Sequence, residues 1–211
     1  ELHNATKVVR WNMDKRYLRD VESAGISVIP TTFIESPSDL AAIQFGRDVM
    51  VKPTISAGSN DTARFIDDAD AAREFGVKIL NSGRAVMVQP YESSIDEFGE
   101  TGLLYFAGEF SHAFRKGAIF RDGNATHNGL YVEEEIGTRQ PSSRELELGA
   151  QVMEFVKSRF GSMPLYARVD MVSAPGGSAS IMEVELIEPS LFLHVDEAAA
   201  SRFAGVLARL V

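Results

Sequence analysis

The stretch "YARVDMVSAPGGSASIMEVELIEPS" (Tyr166 to Ser190) constrains this chain more than any other, because two strand-like apolar runs on either side of a glycine turn both carry charge. Side chains alternate faces along a strand, so Arg168 and Asp170 share one side while Val169 and Met171 take the other. In the second run Glu183 and Glu185 share a face, with Met182, Val184 and Leu186 opposite. A turn centred on Gly176-Gly177 sets Asp170 across from Glu183 and Arg168 across from Glu185. Carboxylates crowded on one sheet face repel, and burying them unpaired costs on the order of several kcal/mol. One resolution is a solvated face on which Arg168 makes ordinary salt bridges. The other is a hard divalent cation. The apolar continuation through Ile187, Leu191, Phe192 and Leu193 suggests an interior position and favours the cation. Carboxylate oxygens at this spacing bind Mg²⁺ and leave room for water and phosphate. Arg168 beside them can hold a phosphate or a developing oxyanion.

The phosphates need their own ligands. No GxxxxGK[ST] motif is present, which excludes a P-loop. Lys52 instead ends the apolar run "VMVKP", where a lysine costs desolvation unless it meets an anion. Directly after it, "SAGSND" (Ser56 to Asp61) offers small residues whose backbone can wrap a phosphate. "MVQPY" supplies a strand end whose backbone can read an adenine edge. Alone, the Lys-Pro with its glycine loop is better explained by a turn with no ligand, and the strand end alone is weak evidence too.

Periodicity predicts a helix over 12–25, a short strand "ISVIPT", a helix "DLAAIQFG" and a buried strand "DVMVKP". A helix "DADAAREFGVKILNSG" with a break at Gly76 and a strand "RAVMVQPY" follow. Beyond these lie a hairpin turning near Gly108, a long loop from Phe120, and a helix opened by a Ser/Glu capping box and closed at Gly161. The last helix is C-terminal. The seam falls near Glu92, with 1–92 as one part and 93–211 as the other.

Composition narrows the partners. A net charge of −9 in 211 residues argues against a nucleic-acid or anionic-membrane surface. The absence of cysteine excludes disulfides, thiolate catalysis and cysteine-bound metals. No apolar run reaches the roughly 18 residues of a membrane span, and no signal peptide is visible, so a cytoplasmic protein is expected. The Asn-x-Thr triplets at Asn4, Asn60 and Asn124 are then chance occurrences.

Taken in order, these pieces resemble the ATP-grasp superfamily. The resemblance rests on "DK" (Asp14-Lys15), "VKP" with its loop (Val51 to Asp61), "VQPY", "GE" (Gly99-Glu100), "RVD" (Arg168 to Asp170) and "EVELIEPS" (Glu183 to Ser190). Within it, the chain looks closest to glutathione-synthetase-like and cycloserine-pathway ligases. The resemblance implies an α+β ATP-grasp fold, two α/β subdomains holding ATP between them. It implies that carboxylate and amine substrates, both small molecules, are joined through an acyl phosphate with release of ADP and phosphate. A small-molecule kinase and a non-catalytic ATP-binding regulatory module are the alternatives. By the same resemblance Lys15 and Lys52 contact the ATP phosphates, and Ser56, Gly58 and Ser59 form the lid. Gln89 and Tyr91 in the hinge hold adenine, Met182 joins the cofactor-binding set, and Glu100 bonds the ribose. Lys116 reaches the γ-phosphate and Arg168 stabilises the acyl phosphate or tetrahedral intermediate. Asp170, Glu183 and Glu185 bind one or two Mg²⁺ ions, although many relatives carry Asn where Glu185 stands. His112, flanked by Phe110 and Phe114, reads as a core histidine with one hydrogen bond. His127 has no metal-ligand spacing. The domain that usually precedes the ATP-grasp portion is absent from this chain, and a homodimer is one expected assembly.

Overall fold

The computed structural model describes residues 3–121, 126–127, 134–174 and 176–210. The chain opens with helices α1 (Thr6–Asn12) and α2 (Tyr17–Ser23), then β1 (Thr32–Ile34), α3 (Pro37–Ala42), β2 (Asp48–Pro53) and β3 (Thr62–Ile66). It continues through α4 (Ala69–Asn81), β4 (Val86–Pro90), α5 (Ser94–Phe98), β5 (Glu100–Phe106) and β6 (Glu109–Lys116). Next come β7 (Thr126–His127), β8 (Ile136–Thr138) and α6 (Ser143–Phe160). The charged pair β9 (Tyr166–Ser173) and β10 (Ala179–Glu185) leads into a 3-10 turn (Leu193–Val195) and α7 (Ala199–Ala208).

These elements form two compact units. The first contains Glu1–Val28, Ser94–Gly117 and Glu135–Val211, and the second contains Ile29–Ser93 and Ala118–Glu134. The opening 28 residues, expected with the N-terminal part, therefore belong to the first unit, and 118–134 belong to the second.

In the first unit an antiparallel sheet runs β10-β9-β5-β6-β8. Its apolar face is set by alternation: Leu103, Val169, Met171 and Ile181 are each fully buried. Helix α6 buries Leu148, Val152, Met153, Val156 and Phe160, a three-to-four spacing that gives one apolar stripe. Gly149 in its middle lets the helix approach β5, since a Cβ there would stand 2.2 Å from the Tyr105 hydroxyl. The capping box read from sequence is present: Ser142 Oγ accepts from the Glu145 N–H, and the Glu145 carboxylate accepts from the Ser142 N–H. Glu145 also accepts from Thr101 on β5 at 2.7 Å and from Ser173 on β9 at 2.9 Å, pinning the helix start to two strands.

Strand β10 is the sheet edge, and side chains rather than a further strand cover it. Asn12 donates to the Val184 carbonyl and accepts from the Leu186 N–H, both at 2.7 Å. The Tyr17 hydroxyl donates to the Val184 carbonyl at 2.9 Å and accepts from the Val184 N–H at 2.8 Å. Asn4 donates to the Leu186 and Tyr166 carbonyls and accepts from the Leu165 N–H. These bonds satisfy backbone groups that an open edge would expose, and they tie the first residues to β10.

In the second unit an antiparallel sheet runs β1-β4-β2-β3-β7. Val49, Val51, Val86 and Val88 face one way and form a core with Leu40 of α3 and Ala72 and Ile79 of α4. The alternate positions Met50, Lys52, Met87 and Gln89 take the opposite face, in the register Met50↔Gln89 and Lys52↔Met87.

Several expectations are corrected. The helix expected over 12–25 is confined to α2, Tyr17–Ser23, and the turn Met13–Arg16 separates it from α1, which lies earlier in the chain than expected. "ISVIPT" forms only an isolated bridge, Val28↔Ile181, and the strand begins at Thr32. Helix α3 ends at Ala42 rather than Gly46, and α4 passes Gly76 unbroken. The segment after β10 is half-buried at Leu191, Phe192 and Leu193 rather than a continued interior strand. Most of the long loop after Arg121, Asn124 included, lies outside the described residues, as does the His127 side chain. Asn4 is 3% exposed and bonded on both sides of its amide, so it is an internal brace.

The buried Glu145 gives a stability prediction. Burial alone would raise its pKa, but the bonds from Ser142, Thr101 and Ser173 outweigh that and hold it at about 2, below 4.5. A depressed folded pKa adds stability above the unfolded value that is lost as pH falls through the folded one. Acid titration of the melting temperature is expected to show a loss between about pH 4.5 and about pH 2. Glu145→Gln should lower the melting temperature at neutral pH and flatten that acid limb.

Candidate active site

The expected cross-strand pairs are present: Glu183 opposes Asp170 and Glu185 opposes Arg168. The register nearer the turn differs by one residue, and a bulge between Ile181 and Glu183 restores the pairing. Alternation alone turns Met182 away from Glu183. The bulge instead sets both residues opposite Asp170, and Met182 is half-buried where Ile181 and Val184 are in the core.

Rows of residues cross this face of the first unit. Asp170 lies opposite Gly102, which lies opposite Phe114. Gly102 is required for space: a Cβ there would meet the Phe114 ring at 2.1 Å and Asp170 Oδ1 at 3.0 Å. In the next row Arg168 lies opposite Leu104, which lies opposite His112. Glu100 faces Lys116 at the strand ends.

The charges on this face are paired with one another. Arg168 is buried, and its Nε and Nη2 donate to Asp170 at 2.9 Å each. Nη2 also donates to Glu185, and Nη1 reaches the Ser190 carbonyl at 3.3 Å. Burial works against its charge, but Asp170 and Glu185 outweigh burial and raise the guanidinium pKa. Lys15, in the turn between α1 and α2, sits 3.1 Å from Glu183. Lys116 Nζ is 2.9 Å from Glu100 Oε2. The resemblance gave Lys116 and Glu100 separate duties toward γ-phosphate and ribose; here they form one ion pair.

Glu185 is the exception to this balance. Burial raises its pKa, Arg168 draws it down, and Asp170 and Glu183 push it up again, leaving it at about 8. Among the described residues no group of three or more acids and histidines stands in a metal-binding arrangement, and Arg168 and Lys15 are the ion-pair partners of Asp170, Glu185 and Glu183. The donor set still suits a hard cation: it consists of carboxylate oxygens, and the raised Glu185 marks a surplus of negative charge that a cation would relieve.

In the second unit Lys52 is half-buried on β2. The loop after it carries Gly58 at φ 61, Ser59 at φ 58 and Asp61 at φ 54, while Ser56 lies at its start. Arg84 holds Asp61 at 2.6 Å, and the Thr54 N–H donates to Ala85, so neighbouring residues grip both ends of the loop. The Gln89 side chain is buried and donates to Thr31 at 2.8 Å. Tyr91 lies beneath the Arg64 guanidinium at 3.4 Å, and Arg64 is held by both oxygens of Asp48. Arg64, Arg84 and the partners of His112 carry no sequence signal of their own and were missed.

Comparison with known proteins fits this arrangement. No family model matches the sequence. A D-alanine–D-alanine ligase from Bacillus anthracis, solved with ATP, superposes with TM-score 0.63 at 16% identity, over 93% of this chain and 64% of that one. The ATP-grasp ligase PsnB superposes with TM-score 0.62 at 16% identity, over 98% and 63%. The fold is therefore that of the ATP-grasp ligases. The D-cycloserine synthetase DcsG matches much more strongly, with TM-score 0.87 and 34% identity over 99% of this chain and 73% of that one. In sequence, the cycloserine biosynthesis protein DcsG of Streptomyces lavendulae is 35% identical over 95% of this chain and 70% of its own length. The chain belongs to the ATP-grasp ligases of the cycloserine-biosynthesis type, enzymes that use ATP to form carbon–nitrogen bonds.

The raised Glu185 makes a measurable contribution. Between about pH 4.5 and about pH 8 the folded chain holds a proton there that the unfolded chain has lost. Stability without divalent cations should fall as pH rises through that window, and Glu185→Gln should flatten the slope. Melting temperatures of both proteins across the window check this; parallel curves would refute the assignment.

Proposed function

We propose that this enzyme joins a small-molecule carboxylate to an amine through an acyl phosphate. The observation that carries the reading is the charged face itself, where Arg168, Lys15 and Lys116 are each held beside a carboxylate. A substrate carboxylate attacks the γ-phosphorus of ATP, and the bond to the leaving ADP oxygen breaks. The amine then attacks the acyl carbon, phosphate departs with the C–O electron pair, and the amine proton passes to solvent. Lys116 offsets charge on the γ-phosphate as it moves, and Arg168 stabilises the oxyanion of the acyl phosphate and tetrahedral intermediate. Lys15 and Lys52 bind the phosphates, with Ser56, Gly58 and Ser59 enclosing them through backbone N–H groups. Gln89 and Tyr91 hold the adenine through the strand end, Met182 borders the nucleotide, and Glu100 bonds the ribose. Asp170, Glu183 and Glu185 would hold Mg²⁺, which would neutralise charge on the β- and γ-phosphates. Similarity to a cycloserine biosynthesis protein supports small amino-acid-like substrates. The net charge of −9 supports the absence of a nucleic-acid partner. No helix among the described residues is long and apolar enough to cross a membrane.

ADP release measured over a panel of amino acids and amines should require both a carboxylate and an amine, with an amide in the product. A phosphorylated small molecule without an amide would make the enzyme a kinase, and ATP binding without turnover would make it a regulatory module. Asp170→Asn and Glu183→Gln should each reduce Mg²⁺-dependent turnover to background in a chain that still folds, Asp170→Asn at a lower melting temperature because the buried Arg168 loses its carboxylate partner. Retention of most turnover by either variant defeats the metal assignment.

A further inference from the structure

His112 is 3% exposed and uses both ring nitrogens, yet no step above employs it. Its Nε2 lies 2.9 Å from the Leu191 carbonyl oxygen, and its Nδ1 lies 2.9 Å from Ser111 Oγ. A carbonyl only accepts, so Nε2 carries the proton and donates. In the neutral ring Nδ1 then accepts from the Ser111 hydroxyl. That hydroxyl oxygen accepts in turn from Arg202 Nε at 2.9 Å, and Arg202 Nη2 donates to Asp196 at 2.7 Å. Asp196 also accepts from the Ala198 N–H at the start of α7. From Arg202 on α7 the bonds run in one direction through Ser111 and His112 on β6 to Leu191 after β10, and burial keeps the imidazole pKa below its ordinary value.

That segment is strained. Glu188 has φ 45 and Phe192 has φ 43, left-handed conformations that non-glycine residues adopt only at a cost in free energy. The Leu191 carbonyl held by His112 lies in sequence between two groups that touch Arg168. The Ser190 carbonyl accepts from Arg168 Nη1 at 3.3 Å. The Phe192 ring stands 5.8 Å from the guanidinium and stacks at 4.3 Å on Phe114. Asp170 and Glu185 grip Arg168 through Nε and Nη2, so this segment supplies the contact on Nη1.

We propose that His112 is a positioning residue for the ligase reaction: by holding the Leu191 carbonyl it fixes the strained Glu188–Phe192 segment and, through Ser190 and Phe192, the guanidinium of Arg168. The inference rests on the role given to Arg168 under the proposed function. His112 acts at a distance, since its own bonds go to Ser111 and Leu191 rather than to the charged row.

His112→Leu keeps apolar volume and deletes the donor, whereas His112→Gln retains an N–H near the Nε2 position. The first should lower kcat about tenfold, the worth of one such bond, at unchanged KM for ATP, and the second should recover most of the loss. Nitrogen NMR of the ring should show the Nε2–H tautomer in the parent and also in Ser111→Ala, because the Leu191 carbonyl still requires a donor. A kcat for His112→Leu within about twofold of the parent overturns the proposal. So do equal losses in both variants that follow the melting temperature, or an Nδ1–H tautomer in the parent. Arg168→Gln separates the two readings. Turnover that survives it removes the catalytic role of Arg168, while the tautomer and the Leu191 bond stand independently.

Discussion

The face of the first unit that carries Asp170, Glu183, Glu185 and Glu100 can exist only if cations are brought to it, and that constraint organises much of the unit. Carboxylates set this close in a half-buried place would repel one another, so each needs a partner in a fixed position. Arg168 comes from the same strand pair, Lys116 from the neighbouring hairpin, and Lys15 from the turn between α1 and α2. Each cation depends on packing elsewhere. Lys15 reaches Glu183 because Asn12 and Tyr17, on either side of it, are bonded to the backbone of β10. Asp170 fits beside Phe114 because Gly102 leaves room for both.

Four carboxylates against three cations leave one negative charge over, and the raised pKa of Glu185 is where the surplus appears. An ion pair in such a place adds little net stability, because desolvation offsets most of the attraction. Its use is positional. Under the proposed function, phosphate oxygens would replace carboxylates beside these cations and a divalent ion would replace cations beside the carboxylates. Binding would then be an exchange of partners rather than the burial of new charge, which would lower its cost.

What the sequence made legible follows from which forces are local. The pairing of Asp170 with Glu183 and of Arg168 with Glu185 needed only alternation and a glycine turn, and the start of α6 needed only Ser142 and Glu145. The bulge at Met182 was invisible because alternation assumes equal counts on both strands. The membership of the first 28 residues was invisible for a different reason. Asn4, Asn12 and Tyr17 bind an edge strand through backbone groups about 160 to 180 positions away, and such bonds leave no period in the sequence. The second face of β2 was half legible: a lysine in an apolar strand was noticed, whereas the buried neighbour Gln89 and its bond to Thr31 were not foreseen.

Backbone strain gathers beside the same functions in both units. In the second unit Ser59 and Asp61 hold left-handed conformations in the loop after Lys52, and Arg84 grips Asp61. In the first, Glu188 and Phe192 do so in the segment after Glu185, with Phe192 stacked on Phe114 and the adjoining carbonyl held by His112. Glycine would relieve each of these positions at the price of a looser loop. A non-glycine residue held left-handed by a specific partner gives up some stability and gains a segment with one geometry. For the proposed transfer of a phosphoryl group and then an acyl group, a single geometry is what electrostatic stabilisation requires, because a donor displaced by an ångström no longer meets the charge as it develops.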